Sequence, residues 1–313
     1  MYYYIVDCGS TGSRIFEFKK SNKSIKQHKV FEFGPIIFLI EFYSIPHKLQ
    51  KETLSNKVQK LFKLNLCMFI NLIKKQLRKP CKLYFGLTGG VRKFIIENKH
   101  NKNVMNSFDL FYDCLKSNSN KQCQITFDKY TMTSGKECYL EYLSCLYLST
   151  MFQDKKPTGV IGLGGASIQI SYDNGSSCIK VPFSENIGYD QVADKLLYSE
   201  KQIEQLVEKK FKKIFKKRKL KGIFYGTEAF YYTLMHFNLH NKTYTIPHLY
   251  KIITQHKKTN DNKLKMNLIL IQKLLEICFD QSSLIIIKID FGIKNNKLTT
   301  SWVFGKFVEL IKS

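Results

Sequence analysis

Two short glycine-rich turns, half a chain apart, constrain this sequence more than any other feature. Ile5 to Phe18 runs Ile-Val-Asp-Cys-Gly-Ser-Thr-Gly-Ser-Arg-Ile-Phe-Glu-Phe. Val160 to Tyr172 runs Val-Ile-Gly-Leu-Gly-Gly-Ala-Ser-Ile-Gln-Ile-Ser-Tyr. In each, an apolar run enters a small-residue turn and an alternating run leaves it, which predicts strand, loop, strand. Gly9 and Gly12 lack a Cβ, so the first turn is free to bend sharply. Successive backbone N–H groups in such a turn form a concave anion site. Ser10, Thr11 and Ser13 add hydroxyl donors, and Arg14 adds a fixed positive charge. Asp7 stands just ahead, where a carboxylate can hold a hydrated divalent cation beside the anion. The stretch is not a Walker loop, because it lacks the Gly-Lys-Ser/Thr ending and runs into a strand. Gly/Ser turns between strands often bind nothing; the recurrence of the pattern is what favours phosphate. Two such hairpins predict a duplicated, two-lobed α/β chain. One cradle would be Gly9 to Arg14, the other Gly164, Gly165 and Ala166.

The paired hairpins resemble the actin, sugar-kinase and heat-shock ATPase superfamily. That implies an actin-like, ribonuclease H-like fold with a nucleotide in the interlobe cleft. Within it, Asp7 to Arg14 and Gly164 to Ile170 resemble the apyrase family of nucleoside triphosphate diphosphohydrolases, which includes the Golgi nucleoside diphosphatases. Further blocks follow in order. In Leu87 to Arg92, Thr88, Gly90 and Arg92 match the family's second motif, and the Thr88 hydroxyl is expected to reach phosphate or metal-bound water. In Thr133 to Leu148, Glu137 falls on the carboxylate that serves as general base, and Tyr142 falls on a Trp. This block departs from the family: a residue is missing before Glu137, Cys138 replaces a Gly, and Glu141 is a competing carboxylate one helical turn on. Ser167 and Gln169 match the pair that orients the attacking water. Gly162 stands where the family has an Asp that supports the metal's water shell, which leaves Asp7 as the main acidic group there. Val181 to Leu197 resembles the stretch after the fourth motif. Tyr231 and Tyr232 fall near the aromatic that stacks on the base, with a core role as the alternative. Trp302 and Gly305 match the fifth motif.

Composition adds bounds. The chain has 313 residues, 44% of them hydrophobic, enough for two lobes with real cores. The formal net charge is +25. The Lys residues are scattered and no nucleic-acid motif accompanies them, so the charge reads as a solvated surface that also attracts anionic substrates. No specific nucleic-acid partner is expected. The nine Cys show no zinc spacing; Cys114 and Cys123 are near enough in sequence for a local disulfide. No signal peptide or transmembrane stretch is visible. The family mostly works in the secretory lumen or outside the cell, so either the protein is intracellular or its N-terminus extends further.

The expected domains are residues 1–133 as lobe I, with 300–313 returning to it, and 134–299 as lobe II. The expected reaction is hydrolysis of nucleoside di- or triphosphates at the terminal phosphate, assisted by Mg²⁺ or Ca²⁺. Glu137, Ser167 and Gln169 would activate the water. The alternatives are a degenerate nucleotide-binding protein without turnover, which Gly162 and the altered third motif favour, and an exopolyphosphatase-like phosphatase.

Overall fold

Strand pairing repeats between the two halves of the chain. The computed structural model describes residues 1–9, 12–21, 24–34, 56–128, 131–164, 168–180, 200–215, 218–292 and 297–312, without the side chains of 56–59, 61, 62, 180 and 210. These residues fall into two units, Met1–Thr133 and Ser134–Ser313.

In the first unit, β1 (Tyr2–Cys8), β2 (Ser13–Lys20) and β3 (Ile25–Phe33) form an antiparallel meander. β4 (Cys81–Leu87) and β5 (Cys123–Phe127) add to β1 in parallel, giving the order β3-β2-β1-β4-β5. The central strands are apolar almost throughout: Tyr4 to Val6 and Leu83 to Phe85 are buried. A strand buried on both faces shows such a run instead of alternation. Around the sheet lie α1 (Asn56–Gln76), α2 (Gly89–Glu97) and α3 (Lys102–Ser117). Leu66, Ile70 and Ile73 of α1 point into the core at helical spacing, against a cluster that includes Phe85, Phe108 and Phe111. Asn101 caps α3, its side chain accepting from the N–H groups of Asn103 and Val104.

The second unit repeats the plan. β6 (Gly159–Leu163), β7 (Ile168–Tyr172) and β8 (Ser177–Lys180) form the meander, β9 (Ile223–Glu228) and β11 (Leu284–Ile287) add in parallel, and β10 (Lys242–Thr245) closes the edge antiparallel to β11. A small ladder joins β12 (Asp290–Phe291) to β13 (Leu298–Thr299). The helices are α4 (Ser134–Met151), α5 (Glu200–Val207, prolonged to residue 215), α6 (Ala229–Met235), α7 (Ile246–His256), α8 (Asn262–Cys278) and α9 (Trp302–Lys312). The basic stretch after Ser199 buries Ile203, Val207, Phe211 and Phe215 at four-residue spacing, so its lysines ride on a helix with one apolar face.

Two expectations change. Residues 302–312 group with the second unit, not with 1–133. The reason is steric: Gly305 of α9 lies directly on the α4 backbone at Leu140, where a Cβ would meet the Leu140 Cα at 2.9 Å and its carbonyl closer still. Cys114 and Cys123 are not partners: Cys67 Sγ lies 2.6 Å from Cys114 Sγ, and Cys123 pairs in register with Cys81 across β4 and β5.

Candidate active site

Helix α4 runs against the β6–β7 hairpin in the second unit. Its approach is fixed partly by Gly175, at φ +82°, whose missing Cβ leaves space for the Tyr142 ring. Glu137 lies in the first turn of α4 and is 7% exposed. Gln169 of β7 is 2% exposed. Its Nε2 donates to Glu137 Oε2 at 3.4 Å. Across the ladder, Gln169 pairs with Gly162 of β6. The Glu141 carboxylate, 3% exposed, lies against Gly162. A Cβ built on Gly162 would stand 3.1 Å from Glu141 Cδ and 3.2 Å from Oε1, with Oε2 nearer still. Two carboxylates from α4 and an amide from β7 thus meet over Gly162 of β6, at the root of the second glycine turn. Gly164 follows β6 and is half-buried; Gly165, Ala166 and Ser167 lie outside the described residues.

The carboxylates act on the thiols around them. The Cys138 thiol is held far above the usual range by its hydrogen bond with Cys178, by burial, and by the charges of Glu141 and Glu137. Burial, and then the Glu141 charge, push the Cys145 thiol up.

In the first unit, Asp7 stands one residue before the end of β1, opposite Arg14 and beside Gly86 of β4. Arg14 Nε donates to Glu32 Oε1 at 3.0 Å, so its guanidinium is held along β3. Lys29 joins the same carboxylate, and both cations hold Glu32 below the usual carboxylate range, Lys29 more strongly. Ser13 is fully buried opposite Cys8. The Gly9 N–H donates to the Gly12 carbonyl at 2.9 Å and closes the turn; Ser10 and Thr11 lie outside the described residues. A Cβ on Gly9 or Gly12 would meet its nearest described neighbour at 3.4 or 3.5 Å, ordinary van der Waals contact. Thr88 Oγ1 donates to the Cys8 carbonyl at 3.2 Å, tying the end of β4 to the end of β1. Arg92 Nη1 donates to the Met132 carbonyl at 2.7 Å.

The two tyrosines divide. Tyr231 is 5% exposed and belongs to the core, whereas Tyr232 is 50% exposed. Their rings meet edge to face, 5.4 Å apart. Both border a cavity of about 610 Å³ that also involves His240, Asn241, Lys288 and Lys297. Trp302, buried at the start of α9, is a packing residue.

Sequence reasoning placed Glu141 only as a rival to Glu137. The structure gives it a place of its own, and the signal for it was the glycine at 162. Glu228 ends β9 beside Leu163 with φ +55°, a strained conformation for a non-glycine residue.

A family model of the GDA1/CD39 (nucleoside phosphatase) family matches residues 1–201. The chain belongs to that family. Membership in the GDA1/CD39 family makes it a phosphatase of the kind that acts on phosphoanhydrides. No curated protein matches the sequence. Among solved structures, the chain is similar to a Ppx/GppA family member of Aquifex aeolicus (16% identity, covering 100% of this chain and 98% of that one, TM-score 0.57) and to its type II variant, described as a Ppx/GppA phosphatase (14%, 99% and 99%, TM-score 0.57). An exopolyphosphatase from Cytophaga hutchinsonii is also similar (11%, 100% and 98%, TM-score 0.54). At these identities the likeness shows the actin-like two-domain fold.

GDA1/CD39 proteins generally depend on divalent metal. The carboxylate oxygens of Asp7 in the first unit and, separately, of Glu141 in the second are hard donors of the kind such an ion takes, water and phosphate oxygens completing its shell. Among the described residues no three His, Cys, Asp or Glu side chains gather into a metal cage. Among the described residues, no helix is long and apolar enough to cross a membrane.

Proposed function

We propose that this chain hydrolyses nucleoside di- or triphosphates, releasing the terminal phosphate by attack of water activated at Glu137. The observation that carries the reading is the buried contact between Glu137 and Gln169, from helix α4 and strand β7. A carboxylate has the basicity to take the proton of an attacking water, and a neighbouring amide orients that water by hydrogen bonds. One water is consumed: its oxygen bonds to the terminal phosphorus, one of its protons passes to Glu137, and the bridging oxygen leaves with the shortened nucleotide. Ser167 is assigned to the same water. Gly9 to Arg14, Thr88 and Gly164 to Ala166 are assigned to the phosphates, and Asp7 to the water shell of Mg²⁺ or Ca²⁺. The cation supplies charge neutralisation on the phosphate oxygens. Positioning and electrostatics suffice, with no phosphoenzyme.

Tyr232 and the cavity beside it support a nucleotide over a bare polyphosphate. A half-exposed ring at the rim of a cavity of this size suits stacking on a planar base. The second reading, an exopolyphosphatase, draws on the likeness to the Cytophaga hutchinsonii exopolyphosphatase and on the +25 charge, which attracts long polyanions.

The test is phosphate release from ATP, ADP, GDP, UDP and long-chain polyphosphate, with Mg²⁺ or Ca²⁺ and with chelator. Release from nucleotides that chelator abolishes is expected. Release from polyphosphate alone would establish the second reading. In the same assay, Glu137→Gln should lower kcat by about 10²–10⁴-fold while nucleotide-induced thermal stabilisation persists. Full activity in that variant would remove Glu137 from the role.

A further inference from the structure

The glycine at 162 and the carboxylate at 141 form one unit. Gly162 sits in the central strand of its sheet, directly across the ladder from Gln169, so a side chain at 162 would emerge on the same face as Gln169. That face looks toward α4, where Glu137 meets Gln169 and Glu141 meets Gly162. Positions 137 and 141 are one helical turn apart, so both carboxylates project from the same side of α4. Glu141 crosses from the helix and ends where the first atoms of a side chain on β6 would otherwise be: 3.1 Å and 3.2 Å separate its Cδ and Oε1 from the missing Cβ. Strand position 162 thus has to be glycine because a carboxylate already fills its place.

Both carboxylates are buried on this face of α4.

We propose that Glu141 is the second-unit carboxylate that holds the water shell of the divalent cation, delivered from helix α4 into the space that Gly162 leaves open. The strand carboxylate that the resemblance expects at 162 has then moved to the helix, and the site keeps its charge. The assignment rests on the proposed hydrolytic reading only for its consequence in turnover; cation binding tests it separately. It also separates the roles of the two glutamates: Glu137, at hydrogen-bond range of Gln169, takes the proton, and Glu141, against Gly162, serves the ion.

The experiment measures Mn²⁺ binding to the full chain, from the free-ion electron paramagnetic resonance signal, with and without the α,β-methylene analogue of ADP. Phosphate release is followed in parallel. Glu141→Gln keeps the shape and removes the charge, and is expected to weaken Mn²⁺ binding at least tenfold. Gly162→Asp alone drives a carboxylate into Glu141 and is expected to lose binding as well. Gly162→Asp combined with Glu141→Ala returns one carboxylate to the strand and clears its space, and should restore Mn²⁺ affinity to within about threefold of the parent. This rescue guards against loss of fold, because a merely structural Glu141 would not be replaced by a charge on another element. Unchanged Mn²⁺ affinity in Glu141→Gln, a folded double variant that fails to recover, or a parent that binds no Mn²⁺ would each overturn the proposal. If the parent binds Mn²⁺ with this pattern but releases no phosphate, the hydrolytic reading falls and the assignment of Glu141 stands. If Glu137→Gln abolishes turnover while Glu141→Gln binds Mn²⁺ normally, the reverse holds.

Discussion

At the scale of single residues, adjacent positions carry different burdens. Tyr231 and Tyr232 are neighbours in sequence and identical in chemistry, yet one is core and the other borders the cavity. Helix geometry decides this, because consecutive side chains point about 100° apart and only one can face the sheet. Base–aromatic stacking is worth about 1–3 kcal/mol, so Tyr232→Ala should raise the KM for nucleotides roughly 5- to 160-fold with little change in kcat, since stacking is shared by ground state and transition state. Polyphosphate, which has no base, should be unaffected. Steady-state kinetics on both substrates checks this, and an unchanged KM for ADP would place the base elsewhere. Tyr231→Ala should act differently and lower stability by about 3–5 kcal/mol, as loss of a buried aromatic does.

At the scale of elements, the α4–α9 contact shows two effects of opposite sign. Gly305 lies inside α9, where glycine costs about 1 kcal/mol relative to alanine through backbone entropy. On propensity alone, Gly305→Ala would stabilise the helix. The added Cβ, however, meets the backbone of Leu140, and a backbone does not rotate away as a side chain does. The helices must separate, and the contacts of buried Phe304 and Phe307 loosen with them. Overpacking of this kind costs about 1–3 kcal/mol, so the net change should be destabilising. A fall in the urea midpoint at unchanged slope is the expected result; a rise would mean that the two helices have slack. Because α4 also carries Glu137 and Glu141, a shifted helix should weaken Mn²⁺ binding in step with stability.

At the scale of the whole molecule, the parts legible in the sequence were those with short-range patterns. The hairpins β1-β2 and β6-β7 show themselves through alternation and small-residue turns, and the duplicated plan follows from their recurrence. Glu137 and Gln169 were legible through ordered blocks of residues. What was hidden depends on pairing at long range. β5 is five residues of ordinary composition that become a strand only beside β4, and the space over Gly162 is defined by a helix more than ten residues away in sequence. The cysteines are the clearest case. Nearness in sequence pointed to Cys114 with Cys123, whereas the fold sets Cys67 against Cys114, linking α1 to α3, Cys81 against Cys123 across two strands, and Cys138 against Cys178, linking α4 to β8. The Cys81 thiol donates to Cys123, and that bond, with Lys74 and Lys79 nearby, holds Cys123 below the usual thiol range despite its burial. Exchange with a disulfide oxidant also needs access, which the partly exposed Cys67 and Cys178 have and the buried Cys123 lacks. Each pair that closes forms one S–S bond and passes two electrons and two protons to that oxidant. Treatment with glutathione disulfide should therefore link Cys67 to Cys114 and Cys138 to Cys178, and non-reducing peptide mapping should recover Cys67–Cys114 without any Cys114–Cys123 peptide. Closing the 47-residue separation between Cys67 and Cys114 should add about 4 kcal/mol to stability by restricting the unfolded chain, so the oxidised protein should melt higher and return to the lower midpoint with dithiothreitol. Nine titratable thiols after oxidant, in folded protein, would mean that these contacts are packing and nothing more.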